Sequence, residues 1–126
     1  MSTRCTINFN YGKEVVAKVY RHSDGYPDGV LGDLAKFFAD VEKDNRATMD
    51  TRFKDPSYLA AKYVVWQAHQ YAKAYVGGKY KATPRLAFSG VGVVIEDPGD
   101  IAYTYFVDCN KRESNGWPTV VVKSVR

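Results

Sequence analysis

Apolar and polar residues alternate over Thr3 to Asn10, with Cys5, Ile7 and Phe9 set against Arg4, Thr6 and Asn8, and this period of two predicts a strand. Tyr11 and Gly12 make a turn, and Lys13 to Tyr20 returns as a second strand in which Val15, Ala17 and Val19 alternate with Val16, Lys18 and Tyr20. A hairpin is the economical arrangement of the two. The period then changes. From Val30 to Val41 apolar residues stand at 30, 31, 34, 37, 38 and 41, the spacing of a helix with one broad apolar stripe.

Asn45 to Asp55 reads as a polar connection with Met49 and Phe53 as anchors. Asp55-Pro56 then supplies a cap and a first helical residue for a longer helix, Tyr58 to Tyr75, with Leu59, Tyr63 and Trp66 on one track. Alanines at 60, 61, 68, 72 and 74 favour this helix, and Gly77-Gly78 ends it. Leu86 to Ile95 is strand-like with glycines at 90 and 92. Glu96 to Asp100 is a turn, and Ile101 to Asp108 alternates as the antiparallel partner of the strand before it. Cys109 to Pro118 is a polar connection with a tight turn at Asn115-Gly116, and Thr119 to Val125 is a final valine-rich strand.

Neither strand pair buries its faces alone, and both helices carry one apolar side. The expected fold is therefore α+β in the order β-β-α-α-β-β-β, a single domain over residues 1–126. It is a mainly antiparallel sheet of about five strands packed against two helices, its other face partly covered by tyrosines or by a partner. Free sheet edges offer a route to a homodimer.

Composition changes this picture little: 45% hydrophobic and 25% charged residues, with ten tyrosines, describe a globular chain. Charge adds an asymmetry. Residues 1–60 hold 9 basic and 9 acidic side chains and residues 61–126 hold 9 and 5, so the whole +4 excess falls in the second part. That excess makes nucleic acid a candidate partner. Two cysteines form no disulfide framework and no C-x-x-C pair, which suits a reducing compartment. No stretch approaches the roughly 20 apolar residues of a membrane span and none resembles an export leader, so the expectation is a cytoplasmic protein without a membrane partner.

Candidate chemistry concentrates in R-H-S-D-G-Y-P-D-G, Arg21 to Gly29. Gly25 is expected to supply positive φ, Pro27 to fix the backbone and Asp28 to cap the first helix. His22 and Asp24 are candidates for an acid/base pair, and His22 with Glu14 and Asp28 for a metal, but neither set has a specific ligand spacing. No catalytic residue, metal or cofactor is assigned, and a non-enzymatic protein is expected. Lys79, Tyr80, Lys81 and Arg85 form the densest basic stretch, suited to phosphates with Tyr80 stacking on a base. If that stretch meets Arg21, His22, Asp24 and Tyr26, together they would receive an anionic small molecule such as a nucleotide. Cys5 belongs to the core, and Cys109, at a strand end, is the better placed thiol to react. G-x-S-x-G is absent, and the glycine pairs lack the strand-turn-helix context of a phosphate cradle. Trp66 reads as core and Trp117 as an exposed anchor for a protein partner.

The hairpin, the run Y-R-H-S-D-G-Y-P-D-G (Tyr20 to Gly29) and the following L-x-x-L-x-x-F-F (Leu31 to Phe38) resemble a loosely defined group of small uncharacterised proteins encoded by phages, prophages and plasmids. Ser23 stands where that group usually has an aromatic. The resemblance covers Thr3 to Phe38 and carries no catalytic residue. It implies an accessory product of a mobile element acting in the bacterial host cell. Small proteins of that kind often interfere with host defence, so the resemblance implies binding to a host protein or ribonucleoprotein complex, for example as an anti-defence inhibitor of a CRISPR-type complex.

Overall fold

A computed structural model describes residues 3–44, 53–74 and 90–125. Its elements are β1 (Cys5–Tyr11), β2 (Glu14–Arg21), α1 (Pro27–Lys43), α2 (Pro56–Ala74), β3 (Val91–Val93), β4 (Tyr103–Arg112) and β5 (Pro118–Ser124). The strands form one sheet in the order β3-β2-β1-β4-β5. The fold is α+β with the expected order of elements, and three of the four strand pairings are antiparallel.

The pairing corrects one expectation. β3 and β4 are not partners: β3 lies on β2, whereas β4 runs parallel to β1, with Cys5 beside Tyr103 and Asn10 beside Asp108. β4 carries buried side chains on both faces, Thr104 on one and Tyr105, Val107 and Cys109 on the other, and a central position satisfies that pattern where an edge would not. Leu86 to Ser89 and Gly77-Gly78 lie outside the described residues, as does Met49. Phe53 is buried and does anchor the connection between the helices.

The helices start differently. Asp55 caps α2 as expected, its Oδ1 accepting from the Ser57 and Tyr58 amides at 3.0 and 3.3 Å. Asp28 does not cap α1. Pro27 takes the first helical position, which moves the cap back to Tyr26, a residue in extended conformation whose side chain makes no capping bond. Asp28 adds only its charge to the first turn. Gly25 is needed for space and not for positive φ, which Asp24 supplies at 56°. A Cβ at position 25 would lie 2.8 Å from the Thr3 carbonyl oxygen and 2.9 Å from the Cys5 Cβ.

Cys5, Ile7 and Phe9, with Val19, Tyr105 and Val107 beside them, form the sheet side of the core, and α1 and α2 cover it with Val30, Leu34, Phe37, Phe38, Leu59 and Tyr63. Aromatic contacts run from β1 through both helices: Phe9 to Tyr63 at 5.9 Å, Tyr63 to Phe37 at 5.3 Å, Phe37 to Phe38 at 5.7 Å and Phe38 to Trp117 at 5.8 Å.

The outer face is polar at its centre. Thr6, Asn8 and Asn10 alternate with the core residues of β1 and are nevertheless buried. The β3–β4 connection helps to cover this face: Asp97 binds Lys18 at 2.8 Å and Asp100 binds Arg4 at 3.4 Å, both side chains of the outer set. The oxygens Thr6 Oγ1, Asn8 Oδ1, Asn10 Oδ1 and Thr119 Oγ1 are all on this face, buried and without a hydrogen-bond partner among the described residues. Replacing an unpartnered hydroxyl by a methyl of similar shape removes a desolvation cost. Thr6→Val is therefore expected to leave stability unchanged or raise it by about 1 kcal/mol in urea denaturation, where an ordinary buried Thr→Val change lowers it.

Candidate partner-binding surfaces

The Arg21 to Gly29 stretch separates into structural and exposed parts. Arg21, the last residue of β2, is buried, and its guanidinium binds Asp33 Oδ2 of α1 at 2.7 Å, the Ser23 carbonyl at 3.0 Å and the Tyr63 hydroxyl of α2 at 3.4 Å. Burial disfavours its charge, but Tyr63 and Asp33 outweigh that and raise its pKa further. Tyr63 passes the contact on to Gln67 at 3.3 Å, and burial pushes its hydroxyl up to about 12. Arg21 is thus occupied as a joint between sheet and helices.

His22 is exposed, and its Nδ1 pairs with the Tyr20 hydroxyl at 2.8 Å. Asp24 and Tyr26 are exposed too, one at the left-handed turn and the other at the start of α1. His69 lies in other surroundings, in the groove of about 420 Å³ between α1 and α2, with Asp40, Asp44 and Lys62 at its rims and Phe37 and Trp66 in its floor. Asp40 accepts from the Trp66 indole N–H at 2.8 Å, so that carboxylate holds the two helices together. Among the described residues, no three His, Cys, Asp or Glu side chains gather as metal ligands. Lys79, Tyr80, Lys81 and Arg85 fall outside the described residues, so a meeting with the Arg21 stretch is not described either.

Both thiols are buried. Cys5 fills the core as expected, but Cys109 is equally enclosed because β4 continues past it to Arg112 and does not end at Asp108. Burial pushes both thiols up to about 12. Trp117 also departs from expectation. Its ring packs on Phe38, its indole N–H donates to Glu42 Oε2 at 3.0 Å, and it is half-buried. It braces β5 against α1 and is not a free anchor.

The exposed apolar residues gather elsewhere. β3 pairs only with Val19 to Arg21, so among the described residues β2 has an open flank from Glu14 to Ala17. Val93 is 74% exposed and Ile95 95% exposed, and Val94 binds the Lys18 carbonyl, which sets both beside that flank. Val15 and Val16, in the bulged part of β2, and Tyr11 at its turn are exposed as well. Scattered apolar residues are ordinary on a surface, but a group at one sheet edge is not. Single β-branched residues in a strand do not reveal this patch, because a Val-rich run has the same pattern on either side of the water boundary.

No family model matches the chain, and no curated protein or solved structure matches it significantly. No described helix is long and apolar enough to cross a membrane.

Two outcomes follow from the buried groups. Arg21→Ala leaves Asp33 and Tyr63 without their partner and is expected to lower the unfolding free energy by about 3 kcal/mol, measured by chemical denaturation. The thiols ionise near 9.0 when unfolded and near 12 when native. The stability that the buried thiols contribute is therefore fully present below pH 9 and declines as pH rises toward 12, because only the unfolded state releases those protons in that window. Urea midpoints should fall above pH 9, and at pH 8 a thiol reagent should label native Cys5 and Cys109 no faster than the chain unfolds.

Proposed function

We propose that this protein acts by binding another protein, as a small accessory product of a mobile element that blocks a host protein or ribonucleoprotein complex. The observation that carries the reading is the apolar group at the β2–β3 edge, with Ile95 almost wholly and Val93 about three-quarters in water. A buried Ile or Val side chain contributes roughly 1.5 to 3 kcal/mol relative to an exposed one, so a partner that covers these residues gains substantially from contact alone. The resemblance of the hairpin and the Tyr20 to Phe38 stretch to phage and plasmid proteins supplies the context, and anti-defence inhibition is its most concrete form. The bacterial cytoplasm is the compartment in which such a blocker works.

Ile95→Asp combined with Val93→Thr tests the reading. Both side chains are exposed, so the double variant should keep its melting temperature within a few degrees. Tagged wild-type protein is expected to retain a stoichiometric partner from bacterial lysate, and the folded double variant to lose at least about tenfold of that affinity. Equal retention by both proteins removes the patch as the interface. Binding of purified protein to nucleic acid with a steep salt slope, and to no protein, removes the reading itself.

A further inference from the structure

The opposite edge of the sheet has a different character. β5 is the terminal strand, and its register on β4 is regular from Ser124 to Thr119. The Val125 amide donates inward to the Ala102 carbonyl at 2.8 Å, and backbone groups in an antiparallel strand point to alternate sides. Thr119, Val121 and Lys123 therefore direct their N–H and C=O groups toward β4. Val120 and Val122 direct theirs to the outer edge, which no other strand pairs with among the described residues.

A groove of about 200 Å³ runs beside that edge, between β5 and α1. Leu31, Ala35 and Phe38 line its helix side, and Trp117, Pro118 and Val120 its strand side. Leu31 and Ala35 are exposed. Glu113 carries the one charge among the described lining side chains and lies near the start of β5. Val120 and Val122 pair with Val107 and Tyr105, both core residues, so a strand added beyond β5 would also turn alternate side chains to the helix side, into this groove.

We propose that an extended segment of a partner protein adds antiparallel to the free edge of β5 and lays its inward side chains in the groove between β5 and α1. The backbone groups of Val120 and Val122 call for an extended chain, which no helix or flat surface supplies. The groove calls for apolar residues at alternate positions. Glu113 calls for a lysine or arginine toward the C-terminal end of the segment, the end that an antiparallel strand brings to the start of β5. Trp117 acts as a wall of this groove, fixed in place by Glu42 and Phe38. The proposal rests on the reading of the chain as a protein-binding module but not on the β2–β3 patch, which lies across the sheet.

A displayed library of random linear peptides, selected against the full chain, supplies the probe. Enriched peptides are expected to alternate apolar residues ahead of a basic one and to change Trp117 fluorescence. They should slow amide exchange at Val120 and Val122 roughly tenfold or more. N-methylation at alternate peptide positions should abolish binding, and Ile95→Asp should leave it intact. Val122→Pro removes an outward N–H without touching the β4 ladder and should weaken binding. Any of three results overturns the proposal: no enrichment; peptides that bind without protecting these amides or that survive N-methylation; or, with no peptide present, concentration-dependent dimerisation that protects Val120 and Val122, which makes the occupant a second copy. In the second case, loss of peptide binding in Ile95→Asp returns the interface to the β2–β3 edge, and the protein-binding reading stands.

Discussion

A buried guanidinium has to be met on all sides, and Arg21 is met by groups from three elements. Asp33 comes from α1, Tyr63 from α2 and the Ser23 carbonyl from the chain that leaves β2. An apolar core specifies volume but tolerates sliding, whereas this charge accepts only positions that keep its donors occupied. One side chain at the end of one strand therefore ties both helices to the sheet. The same turn is tied from the other side, where the Tyr105 hydroxyl donates to the Gly25 carbonyl at 2.6 Å. The histidine, aspartate and tyrosine that make the stretch look chemical stand on the outside of that joint.

With both helices on one face, the sheet is unevenly finished. One side is a continuous aromatic core from Phe9 to Trp117. The other is a layer of threonines and asparagines held under Lys18, Arg4 and the acidic β3–β4 connection. Among the described residues two sheet edges are open, one with valine and isoleucine in water and one with outward backbone groups beside a groove, and they call for different kinds of contact.

Much of this was legible in the chain. The alternation of Cys5, Ile7 and Phe9, the helical stripe through Leu34 and Phe38, and the Asp55-Pro56 start are local signals with local causes, and they predict elements and buried faces correctly. Neighbours are another matter. The alternation of Ile101 to Asp108 says which side chains share a face and nothing about which strand lies alongside, so the parallel pairing with β1 has no sequence signature. Trp117 and Cys109 differ from expectation for a related reason: one lies in a polar connection and the other at an expected strand end, but α1 and the continuation of β4 enclose them. The open edges at Ile95 and Val122 follow from strand order, and strand order is what local pattern omits.

The parallel contact of β1 with β4 also bears on how the molecule comes to exist. The middle of the sheet joins Cys5 through Asn10 to Tyr103 through Asp108. Those partners are roughly 100 positions apart, and closing so long a loop costs entropy before any contact repays it. The β1–β2 hairpin and both helices emerge from the ribosome well before β4 does. Until it arrives, β1 presents an unsatisfied edge with Ile7 and Phe9 beside it. A nascent chain in that state is a candidate for chaperone capture or misassembly, and its hazardous interval lasts from the emergence of β1 until β4 docks.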